Sequence, residues 1–342
     1  MFEFTLQNQE VREVEALVEQ VASKWNTTLG NLFFHDMAVY AQELPRRLRE
    51  FMAEMKYGEP AGACIVSGFP VDDRLIGPTP SHWAEGTVPS KTLREEMAFA
   101  LFGALLGDLF GWATQQNGAI IHNLLPIRGH EHEQVGSGSE DLLEWHTEEA
   151  FHPLRCDYLG LMCLRNHDRV PTTFASIDMI ELNDQVRQTL FEPHFIILPD
   201  TSHFANQSIV KESEIENDEL LSDAYRGINQ MNDNPDLVPV LYGSPNSPYI
   251  AVDPYYMRVA QNNTKAQYAL DVLIDSINEK LQDIVLQPGD CCFIDNYRSV
   301  HGRKPFTARY DGTDRWLKRI NISRDIRKSR ASRQDSRSRV SY

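Results

Sequence analysis

The chain has 342 residues, more than one average domain but within the range of a large β-sandwich or barrel enzyme built as one unit. Its 42% hydrophobic content supplies a sizeable core and excludes wholesale disorder. A formal net charge of -16 argues against a nucleic-acid or anionic-membrane partner for the body of the protein. It fits a soluble enzyme acting on a small molecule, with a mild preference for a cationic one.

In chain order, the first sixty residues read as helical. Val14, Leu17, Val18 and Val21 recur at helical spacing, as do Leu44, Leu48, Phe51 and Met52. The apolar run from Ala63 closes on a turn at Gly68, the mark of a buried strand. Pro and Gly crowd residues 70–89, which predicts a loop, and Glu95 to Leu109 returns to a helix rich in Ala, Leu and Phe. From Ala119 onward the pattern changes to short apolar runs bounded by turn residues. These predict strands at Ile120–Ile121, Tyr158–Leu164, Phe174–Ile177, Phe195–Leu198, Tyr249–Val252, Ile284–Leu286, Cys292–Ile294 and Trp316–Ile320. Their irregular spacing predicts a mainly β sandwich or jelly roll with flanking helices rather than an alternating α/β sheet.

Two segments depart from that pattern. Residues 205–236 carry Glu212, Glu214, Glu216, Asp218 and Glu219 with few apolar anchors, which predicts an insertion: a surface loop, or a lid that closes over substrate. Residues 323–342 carry seven cations, Arg324, Arg327, Lys328, Arg330, Arg333, Arg337 and Arg339, among serines. This composition predicts a disordered tail after a single domain of residues 1–322, with nucleic-acid contact the alternative to simple solubility. No run of 18 apolar residues is present, so no membrane span is expected, and Met1 to Asn8 lacks the basic and apolar regions of a signal peptide. Cys64, Cys156, Cys163, Cys291 and Cys292 form an odd set without Cys-x-x-Cys spacing. They predict reduced thiols in a cytoplasmic protein rather than disulfides or a zinc cage. The pattern sets no oligomeric state.

The chemistry concentrates in two segments, Glu144-Trp145-His146-Thr147-Glu148-Glu149 and Asn296-Tyr297-Arg298-Ser299-Val300-His301-Gly302-Arg303. His146 and Glu148 are two apart, so on an extended strand their side chains leave the same face. With His301 supplied by another strand, they would present two imidazoles and a carboxylate to one face of an octahedral metal, the set that suits non-haem Fe(II) oxygenases. By itself a His-x-Glu triplet arises easily by chance in a chain with 11 histidines. Arg315, fourteen residues past His301 in a run of alternating charged and apolar residues, adds a guanidinium fork able to hold a carboxylate bidentately. The His130-Glu131-His132-Glu133 cluster has no distant partner motif and reads as a solvated loop.

The stretch from Leu143 to Pro153, followed by Asp157 to Asn166, resembles the clavaminate synthase-like branch of the Fe(II)/2-oxoglutarate oxygenases. Within it, the chain is most similar to hydroxylases of free arginine, lysine and asparagine from peptide-antibiotic pathways. Leu286 to Arg303 is like the distal-histidine motif of that family, and the resemblance runs from about Ala61 to Asp325. It implies a double-stranded β-helix (jelly roll) core buttressed by N-terminal helices. It also implies Fe(II) on His146, Glu148 and His301, with 2-oxoglutarate and O2 as cosubstrates.

Further roles follow from the same resemblance. Arg315 would hold the far carboxylate of 2-oxoglutarate, with Thr172, or its neighbour Thr173, as the hydroxyl. Arg319 would grip the α-carboxylate of an amino-acid substrate, Gln115 and Glu148 would meet its backbone, and Asp253 would read its side chain. A glutamate rather than a small residue at position 148 implies hydroxylation or desaturation rather than halogenation. Arginine hydroxylases of this group carry a second acid two residues after that aspartate; Tyr255 departs from the pattern. Asp253 alone could bind an ammonium, an amide or one edge of a guanidinium. The expected reaction is oxidation at C3 or C4 of a free L-amino acid, arginine ahead of lysine, citrulline or asparagine. The rival readings are a zinc or manganese hydrolase on the same β-fold and a non-catalytic binding protein. The hydrolase has no use for a carboxylate pocket at Arg315 and Thr172, and the intact triad ranks the binding protein, which would use the Arg/Ser tail, last.

Overall fold

Eight consecutive buried residues, Tyr158 to Arg165, form the middle of the larger sheet. A strand without a solvent face needs cover on both sides, and this one lies between helices and a second sheet. The computed structural model describes residues 1–85, 89–205, 210, 215 and 217–342. Gly86, Thr87 and Val88 of the expected loop, and Glu212, Glu214 and Glu216 of the expected insertion, lie outside the described residues.

Among the described residues, eight strands make the larger sheet. Their order is Phe2–Thr5, Ala63–Ser67, Cys291–Asp295, Tyr158–Arg165, Trp316–Ser323, Asp108–Trp112 and Val340–Ser341, with Ile121–Leu124 also paired to Trp316–Ser323. The second sheet runs Gln282–Ile284, Thr172–Ser176, Ser299–Arg303, Leu143–His146. The sheets pack face to face through Leu159, Leu161, Cys292, Ile294 and Leu317 on one side and Phe174 and Ile284 on the other. Helices Asn8–Lys24, Asn31–Tyr40, Arg46–Tyr57 and Leu93–Leu106 cover the outer face of the larger sheet, where Val14, Leu48 and Phe99 share a core with Tyr158, Phe293 and Ile320. Helices Asp184–Leu190 and Thr264–Lys280 cover the smaller one, packing with Ala175 and Val300. The cysteines are buried and unpaired in these layers, as small apolar residues.

Several expectations change. Phe2–Thr5, read as part of a helical region, is an edge strand in parallel register with Cys64–Ser67; four residues are too few to show a period, and their partner lies sixty residues away. The helix expected to reach Leu109 ends at Leu106, and Asp108–Trp112 is a strand. The hand-over falls at Gly107, where a Cβ would lie 2.3 Å from the Ser323 carbonyl oxygen. The insertion is better anchored than its acidic composition implies: Glu219–Asp233 is an amphipathic helix with Tyr225 and Ile228 buried.

The tail departs most. Residues 326–332 form 3-10 turns, and Val340–Ser341 adds a parallel strand beside Gly111–Trp112. Two of the arginines that suggested disorder find partners, one distant and one local: Arg339 Nη1 donates to Asp108 at 2.6 Å, and Arg333 Nη1 donates to the Ser338 carbonyl at 2.8 Å. No helix among the described residues is long and apolar enough to cross a membrane.

Candidate metal centre and substrate cavity

Sheet register explains how two distant histidines meet. Ser299–Arg303 is central in the smaller sheet, and His301 sits directly opposite His146 on the antiparallel neighbour, their ring centroids 4.7 Å apart. Glu148 is not on that strand. The strand ends at His146, the Thr147 N–H donates to the Val252 carbonyl at 2.8 Å, and the chain turns through Glu149 at φ 52°, a conformation rare for a residue with a side chain. The shared-face argument for His146 and Glu148 is thus replaced by a turn that swings the carboxylate back. Glu148 Oε2 lies 3.7 Å from His146 Nε2 and 3.3 Å from His301 Nε2. One ligand atom from each of the three residues falls within 4.8 Å of the others.

Partners outside the triad hold this arrangement. Asn296, fully buried, receives the Glu148 N–H on Oδ1 at 2.8 Å and donates from Nδ2 to the Glu148 and Cys156 carbonyls, both at 3.0 Å. His146 Nδ1 donates to the Glu144 carbonyl at 2.8 Å, which turns Nε2 into the site. Glu148 Oε1 accepts from Arg319 Nη1 at 2.5 Å, leaving Oε2 for the imidazoles. Arg319 Nη2 reaches Gln115 Oε1 and His122 Nδ1, both at 2.8 Å. His122 Nε2 donates to the Ala119 carbonyl, so Nδ1 is the acceptor; burial, reinforced by Arg319, holds this ring far below its usual pKa and hence neutral.

Charge in the cluster follows from these contacts. Burial would raise the Glu148 pKa, but Arg319 and the two imidazoles reverse the effect and hold it well below the carboxylate range. Burial disfavours the His146 imidazolium, yet Glu148 and Asp253 outweigh it and lift its pKa to about 9. His301 is pushed down by burial. Two imidazoles converging on one ionised carboxylate oxygen fit a divalent cation of the Fe(II) type.

A second charge signature lies in the same cavity. Arg315 is buried and pairs with no carboxylate among the described residues; Nη2 donates to Thr172 Oγ1 at 3.2 Å, and Nε has no partner. Burial pushes its pKa down to about 10. Arg303 lines the cavity beside it, with its own pKa pushed to about 10 by burial and by Arg315. Arg303 is braced by the Ser139 and Asp141 carbonyls at 2.9 and 3.3 Å. Two buried guanidiniums without an acid make a built anion site. Thr172, not Thr173, lines it.

Asp253 lines the same cavity; its Oδ1 accepts the Tyr255 and Tyr256 N–H groups at 3.1 Å, and burial raises its pKa while His146 opposes. Asp200 and Ser202 line the cavity as well, with Ser202 Oγ accepting from Gln115 Nε2 at 2.8 Å. Sequence reasoning missed Asp200, Asn296, Arg303 and the buried pair Glu149 and His203, whose nearest polar atoms are 3.9 Å apart. Arg303 and Asn296 stood inside the quoted motif, and the Asp200-Thr201-Ser202 capping pattern marks the root of the insertion. The His130 to Glu133 loop stays outside the metal cluster, with His132 Nδ1 at the surface 3.1 Å from Asp141.

Residues 91–321 match the family described as taurine catabolism dioxygenase TauD, TfdA family. The chain belongs to the TauD/TfdA dioxygenase family. It is 45% identical over 342 residues to the enduracididine beta-hydroxylase of Streptomyces hygroscopicus, with 100% of both chains covered. It is 44% identical over 302 residues to the L-ornithine/L-arginine 3-hydroxylase of Catenulispora acidiphila, 88% of each chain being covered. Among solved structures it is similar to the non-heme iron oxygenase OrfP in complex with Fe, succinate and (3S)-hydroxy-L-Arg, with a TM-score of 0.94, 40% identity and 100% of both chains covered. OrfP has also been solved with Fe and alpha-ketoglutaric acid. This family member is an Fe(II)/2-oxoglutarate-dependent amino-acid hydroxylase of the clavaminate synthase-like branch, as its two motifs implied.

Proposed function

We propose that the chain hydroxylates C3, the β-carbon, of a free L-amino acid with a guanidino side chain, L-arginine first. The observation that carries this reading is one cavity that holds a triad suited to Fe(II), an acid-free pair of buried arginines, and a rim with two carboxylates. Here His146, Glu148 and His301 are the iron ligands, on a two-sheet core that we read as a double-stranded β-helix. Iron with O2 and 2-oxoglutarate supplies the oxidant that removes hydrogen from an unactivated C–H bond, releasing succinate and CO2.

The protein's own residues supply position. Arg315 and Thr172 take the far carboxylate of 2-oxoglutarate, and Arg303 adds a second positive charge nearby. Three N–H donors of Arg319 are used by Glu148, Gln115 and His122, which leaves two of its five for the substrate α-carboxylate. Gln115, held between Arg319 and Ser202, meets the backbone end of the amino acid. Asp253 and Asp200, which line the cavity, face the cationic side chain. The relatives named above act, by name, on enduracididine, ornithine and arginine at the beta or 3 position, which supports C3 over C4. Enduracididine is the second reading, favoured by the full-length relative. Five unpaired cysteines support a reducing, cytoplasmic setting.

The test is a screen of the twenty amino acids with ornithine, citrulline and enduracididine, in the presence of Fe(II), 2-oxoglutarate and O2. Arginine-dependent succinate release with a product one oxygen heavier is expected. A product two hydrogens lighter makes the enzyme a desaturase, and turnover of none of these compounds ends the substrate reading.

A further inference from the structure

The cavity rim carries an aromatic corner. Tyr255 and Tyr256 follow Asp253 directly after Pro254, their ring centroids 4.8 Å apart and their planes at 74°. Because both backbone N–H groups donate to Asp253 Oδ1, one turn places the carboxylate and the rings together and leaves Oδ2 for a ligand. Both rings line the cavity that contains the triad. Tyr256 is half-buried, its hydroxyl 3.4 Å from the Thr201 N–H on the turn that begins at Asp200. Tyr255 is 58% exposed, although it stands at the mouth of a buried site.

Asp253 and Asp200 can satisfy a compact ammonium by charge alone. A guanidinium differs: it is planar and weakly hydrated, and carboxylates bonded in its plane leave both faces uncovered. A tyrosine ring beside the carboxylate covers one face and attracts the cation through its π quadrupole. We propose that Tyr255 determines specificity: its ring, braced at an angle by Tyr256, stacks on the guanidinium beside the Asp253 carboxylate. The inference rests on the guanidino-acid reading and adds the residue that enforces it.

The experiment compares the iron-loaded wild type, Tyr255→Phe and Tyr255→Ala on L-arginine, L-ornithine and L-lysine. It is joined by calorimetric Kd values for arginine and ornithine on the anaerobic iron–2-oxoglutarate complex. Tyr255→Ala should lower kcat/KM for arginine about fivefold to thirtyfold, with a matching rise in Kd, while ornithine and lysine change less than about twofold. Tyr255→Phe should keep the wild-type arginine-to-ornithine ratio, and the KM for 2-oxoglutarate should stay constant throughout. An unchanged ratio in Tyr255→Ala, or an equal fall on all three substrates, overturns the inference while arginine remains the substrate. A wild type that binds ornithine and lysine but not arginine overturns both this inference and the substrate reading.

Discussion

At the metal end of the cavity each functional side chain stands on a sheet strand, stands beside one, or is clamped to one; at the substrate end Asp200, Asp253 and Tyr255 stand on turns. His146 and His301 are cross-strand neighbours, and Glu148 is bonded on both backbone atoms by Asn296. Asp253, by contrast, is held by two N–H groups of its own turn. The sheets can therefore hold one chemistry unchanged while the turns, which touch little of the core, change selectivity. The division predicts that changes at one end leave the ligands of the other alone.

The largest effect should come from the triad. His301→Ala should abolish coupled turnover and raise the Kd for Fe(II), read by metal titration, by more than the roughly 10–100-fold typical of outer partners. Next comes Arg315→Met, which on the proposed reading strips the 2-oxoglutarate carboxylate of its main cation and leaves it Thr172 and the more distant charge of Arg303. The KM for 2-oxoglutarate should rise by about two orders of magnitude or more, with arginine binding to the iron-loaded protein nearly constant. If arginine binding falls as far, the two ends are not separate.

Asp253→Asn should do the reverse, raising the arginine Kd by about 10–100-fold while iron and 2-oxoglutarate titrate as in the wild type. Asn296→Asp loses both Nδ2 donations and places a charge near the Glu148 carbonyl. A weakening of iron binding by roughly 10–100-fold is expected, against little change for arginine.

The smallest effect is a pH slope. His152, buried against Trp112, has its pKa lowered to about 3 by burial and by neighbouring cationic groups. The unfolded chain protonates near the ordinary value of about 6.5, so it binds more protons between those limits. Stability is then fully present above roughly pH 6.5 and is lost as the pH falls toward 3. His152→Gln should flatten unfolding free energy against pH in that window by up to about one proton.

Much of the metal end was legible before folding because its residues are clustered in two short motifs and their types are demanded by the ion. Arg315 was visible as a cation opening a run of alternating charged and apolar residues, and the structure places it just before the strand Trp316–Ser323. The error about Glu148 shows the limit: spacing two implies a shared face only if the strand continues, and whether it continues depends on a contact from Thr147 to Val252 a hundred residues away. Asn296 was printed in the motif but had no visible task, because its partners, Glu148 and Cys156, come from another part of the chain. Asp200 and the tail arginines were hidden for a related reason. An acid or a cation reads as solvated surface until a partner is known, and Arg339 finds Asp108 only once Val340–Ser341 lies along the larger sheet.

By itself the sequence determined the run of short apolar strands, a property of local period, while the ligand types and the part assigned to Arg315 came from the resemblance of its motifs to a known family. Only the tertiary structure decided that His301 faces His146, that a turn rather than a strand delivers Glu148, that the basic tail folds into 3-10 turns and ends in a two-residue strand, and that Tyr255 opens onto the cavity. Each of those depends on pairings between segments far apart in the chain, and a local pattern carries no information about which distant backbone will lie beside it.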